Sequence, residues 1–254
     1  MHDPLAGTTP PRSKLVATHS LQKTSAISLD KVAGTAPDLI DMYKDAETSL
    51  RESDRLGGRA AVYLVIDRSL SMTDFFNDGS VQRLSDQILS LSAHLDDDGK
   101  VPVGFFSTEM HTIARGGLLR RPQALVDVKL GAHQGRIGQL HNSLGTMGGT
   151  RYRPAMEAVL AHYRSSRAYK RGTPAFVVFQ TDGAPQDAPA TRDFLRSTQG
   201  ENVRWQFVPF GEAEAFGVLS GLPGNTGVSA VGSDPLALSN AELYNRLVSG
   251  LPRA

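Results

Sequence analysis

The segment Ala61-Val62-Tyr63-Leu64-Val65-Ile66 is an unbroken apolar run rich in β-branched residues. A run with no polar alternation has to be covered on both sides, which is the situation of a central strand in a parallel sheet. The run stops abruptly at Asp67, and Ser69 and Ser71 follow on alternate residues. Ligands of open α/β sheets sit just beyond the carboxyl ends of the strands, so a site is expected here. A carboxylate with two hydroxyls offers only hard oxygen donors, a set that suits magnesium, calcium or manganese better than zinc or copper.

Two later stretches can supply more of the same chemistry. Gly148-Gly149-Thr150 precedes Arg151-Tyr152-Arg153-Pro154, and Pro154 suits the first turn of a helix, so Thr150 would be presented from the preceding loop. Ala175 to Gln180 is a second buried-strand run, closed by Thr181-Asp182-Gly183, which puts another carboxylate at another strand end. Any one of Asp67, Ser69, Ser71, Thr150 and Asp182 alone would more often be a turn or cap residue. Their joint occurrence at two strand ends and a glycine-rich loop favours a metal site.

In this order, Asp67-x-Ser69-x-Ser71, Thr150 and Asp182 resemble the metal-ion-dependent adhesion site of the von Willebrand factor A (vWA) family. Within that family the chain resembles the bacterial tellurite-resistance (Ter)-associated vWA proteins, through Tyr43-Lys44-Asp45-Ala46, Gly79-Ser80-Val81-Gln82, Leu95-Asp96-Asp97-Asp98-Gly99 and Trp205-Gln206-Phe207. The resemblance implies a three-layer α/β/α sandwich, Rossmann-like, whose central sheet is mostly parallel with one antiparallel edge strand. It implies direct metal ligation by Ser69, Ser71 and Thr150, with Asp67 and Asp182 acting through water. One coordination position would stay open for an acidic side chain of a protein partner, and Mg2+ is the expected ion, with Ca2+ and Mn2+ as alternatives. The implied role is binding without turnover, in a bacterial tellurite or chemical-stress complex whose members include other Ter-type proteins. The family usually has glycine between the two serines, where this chain has Leu70. A left-handed backbone at that position would strain a leucine.

Other functions compete for the same residues. A haloacid-dehalogenase-like phosphatase also uses strand-end aspartates with magnesium, but it wants a second Asp where Ser69 stands. A Gly-x-Ser-x-Gly elbow is absent, and Gly145 to Thr150 lacks the Gly-Lys-Ser/Thr ending of a phosphate loop. A third reading, an interaction module whose metal site has decayed, predicts partner binding indifferent to chelator and to Thr150→Ala.

The rest of the chain frames the sheet. With 254 residues, a formal net charge of +1 and no cysteine, neither nucleic acid nor an acidic membrane is an expected partner, and disulfides are excluded. Met1 to His19 lacks the apolar core of a secretion signal, and no run is long enough to span a membrane, so a cytoplasmic protein is expected. Residues 1–25 read as a disordered arm, and residues 26–254 as one vWA domain with an N-terminal helical extension.

Leu39 to Leu50 has helical spacing, and Leu56-Gly57-Gly58 closes that helix. Met72 to Gly79 reads as a polar loop, Val81 to Leu95 as a helix, Asp96 to Gly99 as a solvated turn and Val101 to Phe106 as a strand. His111 to Arg115 is the expected antiparallel edge. Arg120 to Leu144 shows no period, and His133 and His141 within it read as surface histidines. Further helices are expected over Tyr152–Tyr163, Asp187–Gln199, Ala213–Leu222 and Ala237–Leu251, and strands over Val203–Gly211 and Val228–Val231, with Trp205 in the core. Arg164, Arg167, Lys170 and Arg171 read as a solvated helix end.

Overall fold

The computed structural model describes residues 24–114, 121–211, 216 and 223–251. Strand β1 (Ala61–Asp67) and strand β4 (Ala175–Thr181) are buried along their whole length, as their continuous apolar runs require. They pair in parallel from Ala61 opposite Ala175 to Ile66 opposite Gln180. Around them lie β2 (Lys100–Phe106), β3 (Leu125–Lys129), β5 (Val203–Pro209) and β6 (Thr226–Val228), in the order β3-β2-β1-β4-β5-β6. Only β3 runs antiparallel, against β2. The chain winds outward from β1 to β2 and β3, then returns to β4 on the other side of β1. The carboxyl ends of β1 and β4 therefore flank the switch point, where ligands of such sheets bind.

Alternate residues of each strand feed two separate cores. Val62, Leu64 and Ile66 of β1 face a core built with α1 (Leu29–Thr35), α2 (Ile40–Glu52), α4 (Ser80–Leu95), α5 (Arg136–Asn142) and α9 (Asn240–Val248). Tyr63 and Val65 face the other, with α6 (Arg153–Ser165) and α8 (Ala188–Ser197). Trp205 is fully buried in this second core, edge-on to Phe194. A short helix, α7 (Arg167–Lys170), follows α6 and carries exposed Arg167 and Lys170.

Helix α4 is buried on nearly every side although it contains Ser85, Ser90, Ser92, Gln87 and His94. The N-terminal helices cover the face that would otherwise meet water. Ser90 and Ser92 return their hydroxyl protons to the backbone oxygens of Asp86 and Leu89, and Gln87 donates to Asn240. Ser90 and Ser92 are thus satisfied within the helix and Gln87 by α9.

Several expectations need correction. The antiparallel edge is β3, not His111–Arg115; within that stretch Ile113 makes only an isolated bridge to Gln123, and Arg115 lies outside the described residues. Strand β3 lay within the unperiodic stretch because it is five residues long and followed at once by a 3-10 turn, Leu130–Ala132. Met72–Gly79 is not a loop: a 3-10 turn over Leu70–Met72 leads into α3 (Thr73–Asn77), whose Phe75 and Phe76 pack on Phe210 and Phe105.

His133 is not a surface residue. Its Nδ1 is 2.9 Å from Asp86 Oδ1 and its Nε2 is 3.4 Å from Asp38 Oδ2. His141 is half-buried and stacked on Phe76 at 3.9 Å. The last edge strand, β6, begins two residues before the stretch expected. The helix expected over Ala213–Leu222 lies outside the described residues apart from Phe216. The expected arm lies outside them up to residue 23, whereas Thr24 and Ser25 are held to the domain, Thr24 O by Arg59 and Ser25 Oγ against His94 Nδ1 at 2.6 Å.

Candidate metal centre

Asp67 is the last residue of β1 and is fully buried. One register step past the pair Ile66–Gln180, it stands beside Thr181 at the end of β4. Its Oδ1 accepts from the Ser69 backbone N–H at 2.7 Å, and its Oδ2 from the Thr181 hydroxyl at 2.7 Å. The chain then turns through a 3-10 helix that begins at Leu70, which brings both serines over the strand end. Ser69 Oγ and Ser71 Oγ are 3.1 Å apart, and both donate to Asp182 Oδ1, at 3.3 and 3.0 Å. Four of the five sequence-predicted ligands therefore form one hydrogen-bonded cluster.

Thr150 is linked to the cluster only through the backbone of Gly148, two residues before it. Gly148 forms a parallel bridge with Ser69, and Leu70 N–H donates to Gly148 O at 3.1 Å. On the other side, Gln186 N–H donates to Thr150 O at 2.8 Å. The hydrogen bonds that tie the other four residues together do not include the Thr150 hydroxyl, which is nearly buried. The two glycines before it serve close approach. A Cβ on Gly148 would stand 2.9 Å from the hydroxyl oxygens of Ser107 and Thr108, and one on Gly149 would stand 2.6 Å from Gln186 Oε1.

Leu70 carries no backbone strain, because among the described residues Asp54 alone of the non-glycines has a positive φ. Its side chain is 70% exposed beside the cluster. The concern raised by the absent glycine is thereby removed at the level of the backbone.

The electrostatics fit a cation. Burial pushes the Asp67 carboxyl up to about 7, against the pull of the Thr181 and Ser69 donors and with a further push from Asp182. Burial also raises Asp182, opposed by the two serine hydroxyls. Among the described residues no Lys, Arg or His forms an ion pair with either carboxylate. Two carboxylates at a strand end, short of positive charge and ringed by hydroxyls, match an oxygen-only cation such as magnesium or calcium. No cluster of three or more His, Cys, Asp or Glu suited to a metal occurs among those residues, so a thiolate or imidazole centre is not the alternative.

Residues 59–253 match the family described as vWA-TerF-like, the vWA domain found in the TerF C terminus. The chain belongs to this family. The match begins after α1 and α2, and α2 packs on α4 and α9. The chain is also 25% identical over 220 residues to the uncharacterized protein YcbR of Bacillus subtilis (strain 168), covering 84% of this chain and 85% of that protein.

Similar solved structures include the SpRpn10 VWA domain, with a TM-score of 0.46, 12% identity and coverage of 76% of this chain and 96% of that one. A von Willebrand factor type A protein from Catenulispora acidiphila gives a TM-score of 0.49 at 19% identity, covering 76% and 42% of the two chains. Proximal thread matrix protein 1 from the mussel byssus, solved with a zinc-occupied MIDAS motif, gives 0.42 at 14% identity, covering 77% and 48%.

Sequence reasoning missed the groups behind the ligands. Thr181 has the parity of Asp67 in the paired register, which was the available signal. Tyr152 OH donates to Gly183 O at 2.5 Å and lies 3.2 Å from Thr181 Oγ1, which extends the network from Asp67 into the second core. Asp187 accepts from the backbone N–H groups of Tyr152 and Arg153, at 2.9 and 3.1 Å, and so fixes the start of α6 directly after Thr150.

Proposed function

We propose that this vWA-TerF-like domain is a divalent-metal-dependent protein-binding module. The observation that carries the reading is the convergence of Ser69 Oγ and Ser71 Oγ on Asp182 Oδ1 beside the buried, cation-free Asp67. Ser69, Ser71 and Thr150 would hold the ion directly, and Asp67 and Asp182 would hold its waters. When bound, the ion supplies a Lewis-acidic position that a partner's Asp or Glu completes. Neutral hydroxyl ligands leave the ion short of electrons, which strengthens its pull on that carboxylate. Magnesium is the favoured ion, since its octahedral demand leaves a defined vacancy.

vWA domains mediate protein interactions. The family's TerF connection supports a place in a tellurite or chemical-stress complex with other Ter-type proteins in the cytoplasm. No helix among the described residues is long and apolar enough to cross a membrane, so nothing in the described fold calls for insertion. The reading is non-catalytic: every assigned side chain holds the ion or its waters, and none is left as a nucleophile.

Calorimetric titration of chelator-stripped protein with Mg2+, Ca2+ and Mn2+ tests this. Saturable binding, lost in an Asp67→Ala, Asp182→Ala double variant, is expected. A double variant that binds as the wild type does would overturn the reading.

A further inference from the structure

Arg68 stands between Asp67 and Ser69, yet it serves neither as ligand nor as counter-ion. Strand alternation turns it to the opposite side from its two neighbours. The residue is only 3% exposed, and among the described residues no carboxylate lies in ion-pair range of it. A buried, unpaired cation is costly unless its donors are all used. Here they are spent on the last turn of α5 and the loop that follows it. Nη1 donates to Thr146 O at 3.0 Å, Nη2 to Gly145 O at 2.6 Å and to Leu144 O at 3.4 Å, and Nε to His141 Nδ1 at 3.3 Å. Its own backbone N–H donates to Phe106 O at 2.6 Å, which fixes the arginine to the end of β2.

The clamped carbonyls belong to three consecutive residues that end just before Met147-Gly148-Gly149-Thr150. That loop touches the serine turn through the Ser69–Gly148 bridge and the Leu70–Gly148 hydrogen bond. Thr150 has no side-chain bond of its own to the cluster, so its distance from Ser69 and Ser71 depends on where its backbone is held, by this loop on one side and by Gln186 and Asp187 on the other.

We infer that Arg68 is a positioning residue: its guanidinium clamps the 144–146 carbonyls and thereby sets Thr150 against Ser69 and Ser71 for metal binding. The fork geometry is what allows one side chain to reach three successive carbonyls and a ring nitrogen, and a lysine has no such fork. The metal half of this inference rests on the function proposed above; the clamp half does not.

Two measurements separate the halves. Hydrogen exchange on chelator-stripped protein reads the clamp alone. Arg68→Met is expected to raise exchange at least tenfold for the hydrogen-bonded amides within residues 145–151, Gly149 and Arg151, with the β4 amides unchanged. Unchanged exchange at 145–151 overturns the inference, whether or not metal binds.

Mn2+ titration of wild type, Arg68→Met, Thr150→Ala and the double variant reads the consequence. Arg68→Met is expected to weaken Mn2+ about tenfold or more in the wild-type background and by less than twofold in the Thr150→Ala background. Equal losses in both backgrounds would mean that Arg68 does not act through Thr150, which overturns the inference. Arg68→Lys restores charge without the fork and is expected to behave as Arg68→Met; full rescue by lysine would also overturn it. If wild type binds no Mn2+, the metal reading and the positioning role fail together, and a positive exchange result leaves Arg68 as a loop clamp only.

Discussion

Thr181 Oγ1 donates to Asp67 Oδ2 at 2.7 Å, between the ends of two adjacent parallel strands and out of reach of water. The bond exists because β1 and β4 pair in a register that sets residue 67 beside residue 181. Asp67 is thereby held in one rotamer, with its other oxygen occupied by the Ser69 N–H.

Thr181→Val keeps the volume and removes the donor. A hydrogen bond to a buried carboxylate is worth about 1.5–3 kcal/mol, and losing it leaves the acceptor without a partner. Urea unfolding at pH 8 without metal is expected to show a stability loss of about that size. A loss under a few tenths of a kcal/mol would mean that Asp67 is not charged, or not held, as described.

Metal affinity is expected to depend on pH through Asp67. Burial is the main cause of its rise to about 7, and a cation needs the ionised carboxylate. Protons therefore compete below pH 7. Apparent affinity should fall by up to about tenfold per unit between pH 7 and 5.5, and level off above pH 7.5. The raised Asp182 acts in the same direction. Titrations at four pH values would check this, and a flat profile from 5.5 to 8 would contradict it.

Much of the sheet and site was legible because it rests on strong local signals. The runs 61–66 and 175–180 had to be central strands, and the hydroxyls and carboxylates at their ends could point only to the switch crevice. What escaped notice was set by tertiary packing. The short strand β3 takes its identity from β2, through pairs such as Val126 with Val103, and its sequence does not announce it. His133 looked like a surface residue because Asp38 and Asp86, its partners, lie 95 and 47 residues away in the chain. Helix α4 gave a helical period, but nothing in it foretold that its serine-rich face would be covered by the N-terminal helices. The part played by Arg68 has no mark in the sequence, because most of its partners are backbone oxygens.

Leu70→Gly tests whether the family's usual glycine matters here. The Leu70 backbone is unstrained and its side chain lies largely in water. Metal affinity is expected to stay within about twofold, while added chain freedom lowers stability by about 0.5–1 kcal/mol. A tenfold gain in affinity in the glycine variant would show that the leucine restricts the site.

His94 offers a test of how the N-terminal helices pack. Its ring is fully buried, with Nε2 3.0 Å from Tyr43 O and Nδ1 2.6 Å from Ser25 Oγ. That pattern is met by a neutral ring that donates from Nε2 to Tyr43 O and accepts at Nδ1 from the Ser25 hydroxyl, and protonation would force the hydroxyl to turn and accept from Nδ1 instead. Burial, the largest cause, pulls the pKa from 6.5 down to about 4. The unfolded chain therefore binds a proton that the native state refuses between pH 6.5 and 4, so this contribution is fully present above pH 6.5 and is lost as pH falls toward 4. The shift corresponds to roughly 3 kcal/mol. Asp96, raised to about 6 mainly by burial, and Asp67 change in the opposite direction on acidification, so wild type alone would blur the result. His94→Gln keeps a donor for Tyr43 O and cannot titrate. Relative to that variant, wild type is expected to lose roughly 3 kcal/mol in urea unfolding between pH 7 and pH 4. A constant difference across that range would mean that His94 has the same pKa in the folded and the unfolded chain, and that the N-terminal helices do not seal it from water.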